Sequence, residues 1–161
     1  MTSTSMQACM DWTVAALDGI ATTALGMKND SVPLEASLGF DPANGIGAHV
    51  ALVAEGIALQ VGLITDQAGL VQLTSAMLGL TPGVDSLTPA EQKDALGELA
   101  NMLAGGIKAR MNKVHPDMRL GLPMVIRGPV RPAGAALCMN ALRGLGSVPV
   151  RLVLIYDEKR T

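Results

Sequence analysis

The chain is nearly devoid of aromatic residues: Trp12, Phe40 and Tyr156 are the three among 161 residues. Their scarcity removes the stacking platform on which single-stranded nucleic acids are held. A basic excess is missing too. Twelve Lys and Arg stand against fourteen Asp and Glu, a formal net charge of −2, whereas nucleic-acid-binding domains carry a basic face. Charge of either sign is sparse, at 16%, but 49% of the residues are apolar, which excludes a disordered chain. The longest uncharged stretch, residues 67–84, is interrupted by Gln, Ser, Thr, Gly and Pro and makes a poor membrane span. The first residues lack a Lys/Arg cluster, and Asp11 and Asp18 interrupt their apolar run, so no signal peptide is expected. Cysteine is scarce as well. Cys9 and Cys138 both lie in apolar surroundings and are expected as buried free thiols. Their spacing leaves a disulfide open, but not a disulfide-rich secreted fold. The expectation is a cytoplasmic protein that neither enters membranes nor binds nucleic acid.

What the chain has is aliphatic bulk for one domain, 1–161. Its core must come from Leu, Val, Ile, Ala and ten Met, and Met adapts readily to irregular gaps. Thr4 and Gln7 read as a capping box, followed by apolar residues at helix spacing: Met10, Val14, Leu17, Ala21 and Leu25. Gly26 is a natural stop. Residues 31–39 alternate apolar and polar with period two, with Pro33 marking an edge strand. Residues 41–45 carry turn chemistry. Two apolar runs, 48–54 and 57–64, flank Glu55-Gly56 and read as a β-hairpin, at least one strand of which should lie centrally in a sheet covered on both faces. Asp66 can cap a short helix through Met77-Leu78, closed by Gly79. Residues 118–127 read as a strand in which Pro123 marks an edge position, a bulge or a break. Residues 135–142 form a weaker strand and 148–156 a strong one. The expected fold is α/β (α+β): a mainly antiparallel five- to six-stranded sheet packed with about three helices.

The remaining helix, residues 89–113, concentrates the polar chemistry. Thr88, Pro89 and Glu91 supply N-cap, first helical position and N3; His115-Pro116 should end it. At about 100° per residue, Asp94, Glu98, Asn101, Gly105, Lys108 and Asn112 fall within about 80° of one another. Leu96, Leu99, Leu103 and Ile107 lie opposite. Glu98 and Asn101, at i and i+3, can act on one target. The Gly105-Gly106 pair weakens the helix by about 1–2 kcal/mol, so something must approach it closely there.

The pattern Asp94-x3-Glu98-x2-Asn101, with Pro123 twenty-two positions further on, resembles the signature of the CheC/CheX/FliY chemotaxis phosphatases, one residue short in its last spacer. The order of elements resembles that family over most of the chain. CheC-like members carry a second motif copy on the first helix. The nearest candidate here, Asp11-x3-Ala15-x2-Asp18, has neither the Glu nor the Asn, so the chain looks most like CheX. The resemblance implies a homodimer that dephosphorylates a phosphorylated CheY-type response regulator. Hydrolysis of an acyl phosphate is mainly a matter of positioning. An amide both accepts and donates hydrogen bonds, so Asn101 would place the attacking water. Glu98, repelled by a phosphoryl group, would instead pair with a regulator lysine. Asp94 would touch the partner at the rim or only face solvent, Gly105 would leave room for the partner backbone, and Pro123 would shape the neighbouring strand or loop. Any Mg²⁺ would belong to the regulator; one stripe with two carboxylates is a poor cage for a metal of the protein's own.

Other readings attach to the same residues. Glu98 and Asn101 on a polar helix face are ordinarily solvated surface. His49, in an apolar strand, is expected to be structural, and His115 to mark a helix terminus. No zinc-ligand spacing, phosphate-binding glycine loop or nucleophile elbow is present. A non-catalytic docking module of the same fold, binding a response regulator or a flagellar-switch component, would use the same stripe but would not need Asn101. A small-molecule binding domain would instead use an apolar pocket away from that helix.

Overall fold

The structure is a computed structural model that describes residues 3–81, 83–134 and 136–158. It contains three α-helices, α1 (Ser3–Thr23), α2 (Gln67–Met77) and α3 (Pro89–Met111), with two short 3₁₀ turns. The strands are β1 (Val32–Pro33), β2 (Ile46–Ala54), β3 (Ile57–Thr65), β4 (Arg119–Leu120), β5 (Met124–Arg127), β6 (Leu137–Leu145) and β7 (Val148–Glu158). They form one sheet of order β1-β6-β7-β3-β2-β4, with β5 also on β2, and every pairing is antiparallel. This is the α+β architecture the sequence implies, with seven strands where five or six were expected. The extra strand arises at Pro123. Without an N–H to donate there, residues 118–127 split into β4 and β5, which pair with opposite ends of β2.

The expected hairpin is present as β2–β3, its two-residue turn closed by Gly56 at φ +71°. β3 is central, bonded to β2 and β7. All three helices contribute to the core on one side of the sheet, where Leu17, Leu52, Leu63, Leu70, Leu103 and Leu152 are buried. On the other face, Ile64, Val153 and Ile155 form a smaller cluster with Phe40, Val130 and Ala136.

Several local expectations need correction. Residues 31–39 do not form a long strand. Only Val32 and Pro33 pair, at the sheet edge, and residues 36–38 make a 3₁₀ turn. Thr4 lies inside α1 and so does not cap it. Its side chain is outside the described residues, and Gln7 donates to the Asp11 carboxylate at 2.8 Å instead of reaching back. Helix α3 ends at Met111, a turn before His115-Pro116. Cys9 is buried, where desolvation pushes its thiol pKa up, but Cys138 is exposed on β6; both are free. The Asp66 cap holds, with its carboxylate accepting from the Gly69 N–H at 2.7 Å. Gly79 closes α2 at φ +66°, as a glycine cap should.

Candidate functional site

The site is built on α3. The Thr88 hydroxyl accepts from the Glu91 N–H at 3.3 Å, and the Glu91 carboxylate accepts from the Thr88 N–H at 2.8 Å. The Thr88 backbone and then its hydroxyl hold the Glu91 carboxyl below its usual range. Pro89 occupies the first turn. Leu96, Leu99, Leu103 and Ile107 are at most 1% exposed and fix the helix against the sheet. The opposite stripe is therefore held on a rigid support. Asp94 and Glu98 are exposed, while Asn101, Gly105 and Lys108 are half-buried.

Two glycines set the walls of this stripe. Gly97 precedes Glu98, and a Cβ there would lie 3.4 Å from Pro123 Cγ. Pro123 thus rests against the helix beside the motif, bringing the β4–β5 break with it. Gly106 receives α1: a Cβ would come within 2.8 Å of the Ala16 Cβ. Gly97 and Gly106 lie about 100° to one side of Glu98 and about 80° to the other. The stripe runs between these two contacts. The close approach expected at the glycine pair is made at Gly106, whereas Gly105 has nothing within 4 Å. Gly97 was not singled out from sequence, although a glycine one residue before Glu98 in a helix was the available signal.

Among the described residues, no hydrogen bond or ion pair engages the side chains of Asp94, Glu98 or Asn101. Glu98 has Asp94 one turn before it and Met102 one turn after, so its own helix supplies no cation at helical-neighbour spacing. The stripe thus offers a carboxylate and an amide, both uncommitted, side by side. Asp11 and Asp18, the nearest trace of a second motif copy, are already engaged. Asp11 takes the Gln7 amide, and Asp18 accepts from the Ser31 N–H at 2.8 Å and its hydroxyl at 2.5 Å. Arg143 completes that anchor through its guanidinium on the Ser31 carbonyl at 2.6 Å. Neither histidine joins the stripe. His49 is buried on the sheet face away from the helices, and His115 lines an apolar hollow with Trp12 and Tyr156 beyond the end of α3. No group of three or more His, Cys, Asp or Glu among the described residues could hold a metal ion, and no helix there is long and apolar enough to cross a membrane.

The stripe, its walls and the all-antiparallel sheet agree with a comparison against family models. The family described as chemotaxis phosphatase CheX matches residues 46–133, more than half of the chain. The chain belongs to the CheX family. That match includes the hairpin, all of α3 and Pro123. No curated protein sequence matches the chain. Among solved structures, CheX of Vibrio vulnificus is 17% identical, with TM-score 0.73 over 92% of this chain and 96% of that one. CheX of Desulfovibrio desulfuricans is 16% identical, with TM-score 0.72 over 92% and 99%. The CheX–CheY–BeF3–Mg complex of Borrelia burgdorferi is matched at 13% identity, TM-score 0.70, over 92% and 97%. At such identities the structural likeness is one of fold, and it extends over nearly the whole of this CheX-family chain.

Proposed function

We propose that this chain is a phosphatase that hydrolyses the aspartyl phosphate of a CheY-type response regulator in chemotaxis signalling. The observation that carries this reading is the uncommitted pair Glu98 and Asn101, presented on a rigid helix between Pro123 and α1. Family membership supplies the reaction class, and the Borrelia CheX–CheY complex supports the choice of partner.

In the proposed mechanism Asn101 enters the regulator's active site. Its amide oxygen accepts a hydrogen bond from a water and holds that water in line with the phosphorus. The water oxygen forms the new P–O bond, the bond to the aspartyl oxygen breaks, and the carboxylate and inorganic phosphate are released. Glu98 pairs with a regulator lysine and fixes the register. Asp94 adds negative potential at the rim, and the open space at Gly105 admits the partner backbone. The regulator's own acidic site would hold the Mg²⁺. Two CheX-like chains would associate as a homodimer through exposed strand edges of their sheets, leaving one stripe per subunit exposed; light scattering on the purified chain tests this.

The decisive assay mixes the protein with Mg²⁺ and a CheY-type regulator phosphorylated by a small phosphodonor, then follows loss of the phosphoryl group. Acceleration by wild type but not by Asn101→Ala supports both the activity and the site. Binding without acceleration by any candidate regulator would instead favour the docking module.

A further inference from the structure

The sheet face opposite the helices holds a second set of polar groups, joined by one bond, in which Arg151 Nη1 donates to Asn140 Oδ1 at 3.5 Å. His49 of β2 pairs with Gly62 of β3, Gly62 with Val153 of β7, and Val153 with Asn140 of β6. These four residues form one row on one face. Arg151, two residues before Val153, points from the same face. Among the described residues, the buried side-chain nitrogens and oxygens lacking a partner are His49 Nδ1 and Nε2 and Arg151 Nε. All of them lie on this face.

Buried polar atoms without partners are costly and rare in native folds, and the chain has made room for these. His49 is 2% exposed. Its ring lies so close to Gly62 that a Cβ there would meet it at 2.5 Å. A glycine inside a central strand weakens it, and here that glycine seats the imidazole. The Arg151 guanidinium lies 5.9 Å from the centre of the Phe40 ring. Two hollows open above these side chains and share Arg131. One, of about 450 Å³, is lined by His49, Gln60, Met124 and Ile155, and by one carboxylate, Asp157. The other, of about 260 Å³, contains Phe40, Asn140, Arg151 and Val153 and has no carboxylate in its lining. Positive charge is thus uncompensated at the Arg151 end, while the floor between is apolar.

We propose that this face is a binding site for a small organic anion with an apolar body. Arg131 and Arg151 hold the anionic group, be it carboxylate, sulfonate or phosphate, and supply charge-assisted bonds to it. The apolar body lies along Val153 and Ile155, and His49 hydrogen-bonds its far side. His49 and Arg151 stand two strands and two residues apart, so the occupant spans on the order of 10 Å. This site is separate from the α3 stripe and does not depend on the phosphatase reading.

The chain has two histidines, so its imidazole NMR signals give a direct test, with His115 as internal control. Naphthalene-2-sulfonate, titrated into the intact protein, should shift the His49 signals saturably in the millimolar range and leave His115 in place. Inorganic phosphate, lacking the apolar body, should act at least tenfold more weakly. Arg151→Gln should weaken the sulfonate response at least tenfold, and so should the exposed-site variant Arg131→Gln, which does not disturb the Phe40 contact. The proposal is overturned if His49 does not respond saturably, if His115 responds alike, or if both arginine variants respond as wild type. It is equally overturned if, without any added anion, the His49 signals move with protein concentration, since a second copy would then cover the face.

Discussion

At the scale of single residues, Glu98 and Asn101 have neighbouring positions and different expected contributions. The Asn101 side chain makes no hydrogen bond among the described residues, so its replacement by Ala should leave folding untouched. If it places the water, Asn101→Ala should lower the single-turnover rate of regulator dephosphorylation on the order of 10²-fold or more, while binding changes little. Glu98→Ala should weaken binding and turnover together, because a docking contact acts before the chemistry. Glu98→Gln should resemble Glu98→Ala and lose most of the salt dependence of binding, since the partner lysine no longer meets a charge. Regulator binding by fluorescence anisotropy alongside single-turnover kinetics separates the two effects. Equal losses of binding for Asn101→Ala and Glu98→Ala would sink the division of labour.

At the scale of elements, α3 serves two masters through adjacent glycines. Gly106 faces Ala16 at a distance that leaves no space for a methyl group, whereas Gly105 faces open space. Gly106→Ala should push α1 away and destabilise the fold, since overpacking costs about 1–3 kcal/mol against a helix-propensity gain of about 0.5–1 kcal/mol. Gly105→Ala should keep that gain and raise the midpoint of urea unfolding. Gly105→Leu should fold as well and yet impair regulator binding. Thr88→Ala should cost about 1 kcal/mol through loss of the cap. From the sequence, Thr88-Pro89-Glu91 and the stripe of α3 were legible because capping and 3.6-residue periodicity are local signals. The β2–β3 hairpin was equally legible from two apolar runs about a glycine turn. Residues 31–39 misled because their period-two pattern finds β6 only as far as Leu34, whose N–H donates to the Leu142 carbonyl at 3.1 Å; residues 36–38 then turn into a 3₁₀ helix. The contacts Gly97–Pro123 and Gly106–Ala16 were not legible, because they join residues far apart in sequence. Proximity to the motif alone could not say which glycine of the pair met α1.

At the scale of the whole molecule, the two faces of the sheet differ in kind. The helix-covered face contains the main aliphatic core and, through α3, supports the stripe. The other face carries a smaller apolar cluster and a buried imidazole whose pKa is lowered by desolvation. That imidazole makes the stability of the fold depend on pH with a definite sign. The unfolded chain takes up the His49 proton near its ordinary value of about 6.5, while the folded chain takes it up at lower pH. The unfolded state therefore binds more protons as pH falls below that value, and stability drops with it; above that value the contribution of His49 is flat. His49→Leu removes the titration and replaces an unpartnered polar ring with an apolar side chain, which is near neutral or favourable in a buried site. Urea midpoints measured at pH 8 and pH 5.5 should fall more steeply for wild type than for His49→Leu, and at pH 8 the variant should be at least as stable. Carboxylates titrate in both proteins, so the difference between the two slopes reports His49 alone. Parallel slopes would mean that His49 reaches water or a partner in solution, and its burial could not then be counted among the constraints on this face.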